Sequence, residues 1–80
     1  MADRTTTDFA ILDTTRLIPL GVAWAIIPEG RRAGVARKDD GTWQYTLDSI
    51  VYSGFANSDS AIQDLANRLA NEGILLRIRL

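Results

Sequence analysis

Apolar and polar positions alternate along much of this chain, and the period of the alternation marks its elements. Val22-Ala23-Trp24-Ala25-Ile26-Ile27 is apolar throughout. At strand spacing, Val22, Trp24 and Ile26 share one face and Ala23, Ala25 and Ile27 the other. A strand apolar on both sides predicts a central place in a sheet, or one side that serves as an interface. Pro28-Glu29-Gly30 predicts a turn, with proline fixing φ and glycine supplying a positive one. Arg32 to Lys38 reads as a second strand, with Ala33, Val35 and Arg37 on one face and Gly34, Ala36 and Lys38 on the other. Its weak apolar character predicts a sheet edge. Asp39-Asp40-Gly41 between two alternating runs is a hairpin signal. Thr42 to Asp48 then alternates cleanly, with Trp43, Tyr45 and Leu47 inward and Thr42, Gln44, Thr46 and Asp48 outward.

The period changes after Ser58. Ile62, Leu65, Ala66, Leu69 and Ala70 fall at i, i+3, i+4, i+7 and i+8, which is one face of a helix. Ser60 and Gln63 fit a capping box, Asp59 suits the positive helix end, and Gly73 suits the close. Ile74 to Leu80 returns to strand spacing. Two stretches are less patterned. Phe9, Ile11, Leu12, Leu17 and Ile18 are broken by Asp13-Thr14-Thr15-Arg16, which predicts a short helix or an irregular segment closed by Pro19 and Gly21. Ser49 to Asn57 predicts a short strand or an extended connection, with Tyr52 and Phe55 exposed beside Ser53-Gly54. Residues 1–8 are polar and read as a loose terminus. The expected fold is a single two-layer α+β domain over residues 1–80. It has a mostly antiparallel sheet of about four strands and one main helix, in the order β-β-β-α-β after an N-terminal segment.

Composition narrows the chemistry. The 80 residues contain no cysteine and no histidine. Disulfides, thiolate or imidazole metal sites, histidine acid–base catalysis and cysteine nucleophiles are therefore excluded. Lys38 is the one lysine, so Ser49, Ser53, Ser58 and Ser60 have little to activate them. Asp39-Asp40-Gly41 lacks the further oxygen ligands of a calcium loop. The expectation is a protein that is not an enzyme and takes no metal or cofactor. A chain this short buries only ~60% of its unfolded surface, so it must lean on a well-patterned core, on self-association or on a partner. The apolar run from Gly21 to Pro28 is far below the ~20 residues of a membrane helix. Met1 to Asp8 has no signal-peptide character, so a cytoplasmic location is expected.

Charge is sorted along the chain. Arg31, Arg32, Arg37, Lys38, Arg77 and Arg79 make up six of the nine basic residues and lie in two strands. Asp39, Asp40, Asp48, Asp59, Asp64 and Glu72 lie in the stretch 39–72, which holds only Arg68 in return. If the two basic strands are neighbours, one side of the protein is basic and the helix side acidic. The basic side reads either as an anion or nucleic-acid surface or as a charged edge that resists aggregation. The net charge of −1 favours the latter. Trp24, Trp43, Tyr45, Tyr52 and Phe55 read either as core aromatics or as a stacking platform for bases. Tyr52 and Phe55 are candidate partner contacts.

Two resemblances follow. Gly54-Phe55-Ala56-Asn57-Ser58-Asp59-Ser60-Ala61-Ile62, a helix entry after a three-stranded sheet, is similar to the arm-type DNA-binding domain of phage integrases. That resemblance implies DNA reading through strands carrying Arg31, Arg32, Arg37 and Lys38. The whole-chain build resembles small phage-encoded anti-CRISPR proteins: the Trp24 strand, the Asp39-Asp40-Gly41 hairpin, the Ser58–Asn71 helix and the Arg77/Arg79 strand. This second resemblance implies a protein-binding inhibitor that keeps a CRISPR surveillance (Cascade-type) complex from target DNA, either by acidic mimicry of DNA or by plugging its path. A homodimeric structural or immunity protein is the remaining alternative.

Overall fold

The computed structural model describes residues 8–79. Among them, six strands form one sheet in the order β5-β4-β3-β2-β1-β6. The strands are β1 (Asp8–Asp13), β2 (Val22–Ile27), β3 (Arg31–Arg37), β4 (Trp43–Leu47), β5 (Ile50–Phe55) and β6 (Ile74–Arg79). Helix α1 (Leu17–Leu20) is a single turn between β1 and β2, and helix α2 (Ser58–Asn71) lies between β5 and β6. Neighbouring strands are antiparallel except β6, which runs parallel to β1. Because β5 and β6 are opposite edges, α2 carries the chain across the whole sheet.

The core lies between α2 and one sheet face. Leu65, Leu69 and Ala61 of α2 are buried against Ala10, Leu12, Ala23, Ala25, Ile27, Ala33, Val35, Tyr45 and Leu47. Four of these strand residues are alanines, so the helix can sit close to β1, β2 and β3 with little side-chain volume between. Tyr45, Tyr52 and Phe55 fill the β4–β5 end, with ring centroids 4.9 Å and 5.7 Å from Tyr45.

The α+β class and the mostly antiparallel sheet agree with the pattern, but several details change. The sheet has six strands among the described residues, not about four. The Phe9–Leu12 cluster is the inner strand β1 rather than a helix, and only Leu17–Leu20 is helical. Gly21 closes that turn with φ 69, as its position suggested. Asp8 belongs to β1, whereas residues 1–7 of the expected loose terminus lie outside the described residues, as does Leu80. The Arg32–Lys38 strand is interior, between β2 and β4. Its residues are small because α2 packs close on Ala33 and Trp24 lies over Gly34. Ser49–Asn57 contains a full edge strand, β5, with a register shift near Gly54. Tyr52 and Phe55 turn toward the helix and are half-buried, not exposed. The α2 cap is Asn57, whose Oδ1 accepts from the Ser60 N–H at 2.8 Å, while Gln63 donates to Asn67 instead of closing a capping box. Ala70, placed on the buried helix face by its spacing, is exposed.

Candidate interaction face

The second sheet face has no helix over it among the described residues. Strand pairing identifies what it presents. Ile11 stands opposite Ile26, Ile26 opposite Arg32, and Ile11 opposite Arg77. Two isoleucines on β1 and β2 are thus bracketed by arginines on β3 and β6 in one cross-strand row. The next row runs Gly34–Trp24–Asp13–Arg79. Phe9 pairs with Leu75 beside them. Ile26 is 78% exposed, Trp24 61%, Leu75 51% and Ile11 47%. Scattered exposed apolar residues need no explanation, but a contiguous set across three neighbouring strands, β2, β1 and β6, does.

Local geometry holds this surface in shape. The six-membered ring of Trp24 occupies the place of a side chain at residue 34: a Cβ on Gly34 would lie 3.2 Å from its Cε3 and Cζ3. The Arg77 guanidinium sits 5.1 Å from the centre of the Phe9 ring, a cation–π contact that keeps it over the sheet. Asp13 accepts from the Thr15 N–H at 3.0 Å and the Thr15 hydroxyl at 2.7 Å. Those bonds, helped by Arg79 and Arg16, hold its carboxyl below the ordinary aspartate range. Towards β4 the face dips into a depression of about 930 Å³ bordered by Trp24, Ile26, Arg32, Ala36 and Thr46.

The charged residues singled out in the sequence are divided by the fold. Two strands, β2 and β1, separate β3 from β6, so the basic set is not one continuous patch. Arg32, Arg77 and Arg79 are on the open face. Arg31 is on the helix side, where its Nη2 lies 2.5 Å from Asp48 Oδ2 and its Nη1 lies 2.6 Å from Glu72 Oε1. This double pairing raises the Arg31 pKa further and lowers that of Asp48. Arg37 also faces the helix side, opposite Trp43 and against Gly21. Lys38, Asp39 and Asp40 form the β3–β4 hairpin end, where Asp40 accepts from the Thr42 N–H at 2.9 Å and its hydroxyl at 2.6 Å. Asp64 accepts from the Tyr45 hydroxyl, which itself accepts from Arg68 Nε at 2.5 Å. Arg68 also lies 3.9 Å above the Tyr52 ring. Burial and the bond to Asp64 push the Tyr45 hydroxyl pKa up. Asp59 sits in the first turn of α2, where the helix dipole favours it.

Asp40, Asp48, Asp64 and Glu72 are therefore bound into local structure, and Asp59 and Asp39 stand apart from them. Phe9, Ile11 and Leu75 were not marked as contacts by the sequence. The signal that could have found the face was the doubly apolar strand Val22–Ile27. Among the described residues, no group of three or more acidic side chains converges as a metal site, and no helix is long and apolar enough to cross a membrane. No known protein family, curated protein or solved structure matches the chain.

Proposed function

We propose that this chain is a non-catalytic, protein-binding inhibitor that works through the open face of its sheet. The observation that carries the reading is the contiguous Phe9, Ile11, Trp24, Ile26 and Leu75 surface. Covering such a surface releases ordered water at ~25 cal/mol per Å² of apolar area, which gives a partner a strong reason to bind. Supporting it further, no histidine or cysteine is present to do chemistry, and the charged clusters on the helix side serve local structure.

The specific case is inhibition of the anti-CRISPR type, in which the chain seats on a CRISPR surveillance complex and blocks target DNA. The test is gel filtration with a purified Cascade-type complex, followed by a target-DNA binding assay. Co-elution and reduced DNA binding are expected, and both should be lost in Ile26→Asp. Separate elution with unimpaired DNA binding overturns it. One observation favours a second reading, a nucleic-acid platform: Trp24 and Phe9 share the face with Arg32 and Arg77. A gel shift at ~50 mM salt with single-stranded DNA decides this, since phosphate contacts are strongest at low salt.

A further inference from the structure

The charge around the open face describes its occupant more closely. Arg32, Ile26, Ile11 and Arg77 are Cα partners in one row over four neighbouring strands. Three strand spacings of ~4.8 Å set the two arginines about 14 Å apart, with two apolar strands between. An α-helix with its side chains is ~10 Å across. A helix laid along β1 and β2 would rest an apolar stripe on Ile11, Ile26 and Trp24. Its flanking side chains would then reach Arg32 on one side and Arg77 and Arg79 on the other. Among the described residues Asp13 is the one acid on this face, and Thr15 already occupies it.

From this bracketed row, and resting on the protein-binding reading above, we infer that the open face receives an amphipathic α-helix of a partner, with acidic residues along both borders of its apolar stripe. A second copy of this chain is disfavoured, because pressing two such faces together opposes arginines to arginines. A nucleic acid is disfavoured because the centre of the row is aliphatic. Isoleucines offer no stacking surface to bases, and phosphates would lie over exposed hydrocarbon. An extended strand added to a sheet edge would leave the isoleucine row uncovered. A helix satisfies both the apolar centre and the cationic borders, and it completes a second layer opposite α2.

The experiment pans displayed peptides of about 14 residues, the length at 1.5 Å rise that matches a six-residue strand. One library fixes an apolar helical stripe and varies its borders between Glu and Lys. A second fixes a strand-like alternation with the same border choice. Wild-type protein is expected to enrich helical peptides with Glu on both borders by roughly tenfold or more over Lys, the order expected of charge pairs at an interface rim. The double variant Arg32→Glu/Arg77→Glu should invert that preference. Ile26→Asp, at an exposed position, should remove enrichment while circular dichroism shows the fold intact. Enrichment of the strand library, or helical binders whose borders do not invert, overturns the helix inference while leaving a face-dependent protein-binding reading in place. No Ile26-dependent peptide at all overturns both. Light scattering that gives a dimer broken by Ile26→Asp assigns the face to a second copy. Fluorescence anisotropy with oligo-dT that is lost in Ile26→Asp assigns it to nucleic acid.

Discussion

The indole of Trp24 lies in the space that a side chain at residue 34 would fill, with Cε3 and Cζ3 both 3.2 Å from the position of a Cβ on Gly34. These two residues are direct cross-strand partners on β2 and β3. The glycine lets the ring lie down on the sheet instead of standing away from it. Gly34→Ala is therefore expected to lift the ring and shift its fluorescence to longer wavelength, read in a Trp43→Phe background. Stability should change by less than ~0.5 kcal/mol, because the gain of ~0.5–1 kcal/mol from a stiffer backbone opposes the lost contact. An unchanged emission spectrum would contradict the packing described.

Apolar residues on the two faces should respond differently to truncation. Leu65 is fully buried and Ile26 is 78% exposed. Leu65→Ala should cost about 2–5 kcal/mol, a large part of the total stability of so small a domain. Ile26→Ala should stay within ~0.5 kcal/mol. Urea denaturation of the two variants measures both. Equal losses would mean that the open face is covered in solution.

Asp48 and Ser49 both have positive φ, 52 and 72, in the two-residue turn between Leu47 and Ile50. Aspartate tolerates this conformation better than serine. Ser49→Gly is expected to stabilise the hairpin by about 0.5–1 kcal/mol. That corresponds to a rise in Tm of roughly 4–8 °C per kcal/mol for a domain of this size. A lower Tm would show that the serine hydroxyl contributes more than the backbone strain costs.

Arg31 holds the Asp48 carboxyl below its ordinary range. A carboxyl with a depressed folded pKa adds stability above its unfolded pKa, near 3.9, and loses it as pH falls through the folded value. Asp48→Asn should thus be less stable than wild type at pH 7, and the difference should shrink below about pH 4. Denaturation at both pH values tests this, and a pH-independent difference would refute the linkage.

The Tyr45 hydroxyl has the opposite sign of linkage. Its pKa is raised in the fold, so the unfolded chain releases the proton first and stability falls as pH rises above about 10. Tyr45→Phe should cost about 1 kcal/mol at neutral pH through loss of the bonds to Asp64 and Arg68. Part of this alkaline loss should disappear with it. Guanidine melts at neutral and alkaline pH would show whether the two curves converge.

The gap between pattern and fold can be traced to particular residues. The β3–β4 hairpin was legible because Asp40-Gly41 is a turn dipeptide with a clear physical basis. The β4–β5 turn is built from Asp48-Ser49, which lacks glycine, so Ser49–Asn57 read equally as a short strand or an extended connection, and the burial of Tyr52 and Phe55 was not legible. The β1 strand was obscured because its apolar residues are interrupted after Leu12 and resume in α1. Its place depends on β6, 60 or more residues later in the chain. That parallel pairing has no local signal.

Local chemistry along the chain determined the doubly apolar Val22–Ile27 strand, the inward triad Trp43, Tyr45 and Leu47, the α2 helix, and a side-chain set without histidine or cysteine. Each depends on spacing or on residue type alone. Tertiary structure decided which side of Val22–Ile27 would be covered, because one helix can cover only one face of a single sheet. It also decided the company of each charge. Arg31 and Arg32 are adjacent in sequence, yet strand alternation sends one to Asp48 and Glu72 beside the helix and the other to the border of the open isoleucine row.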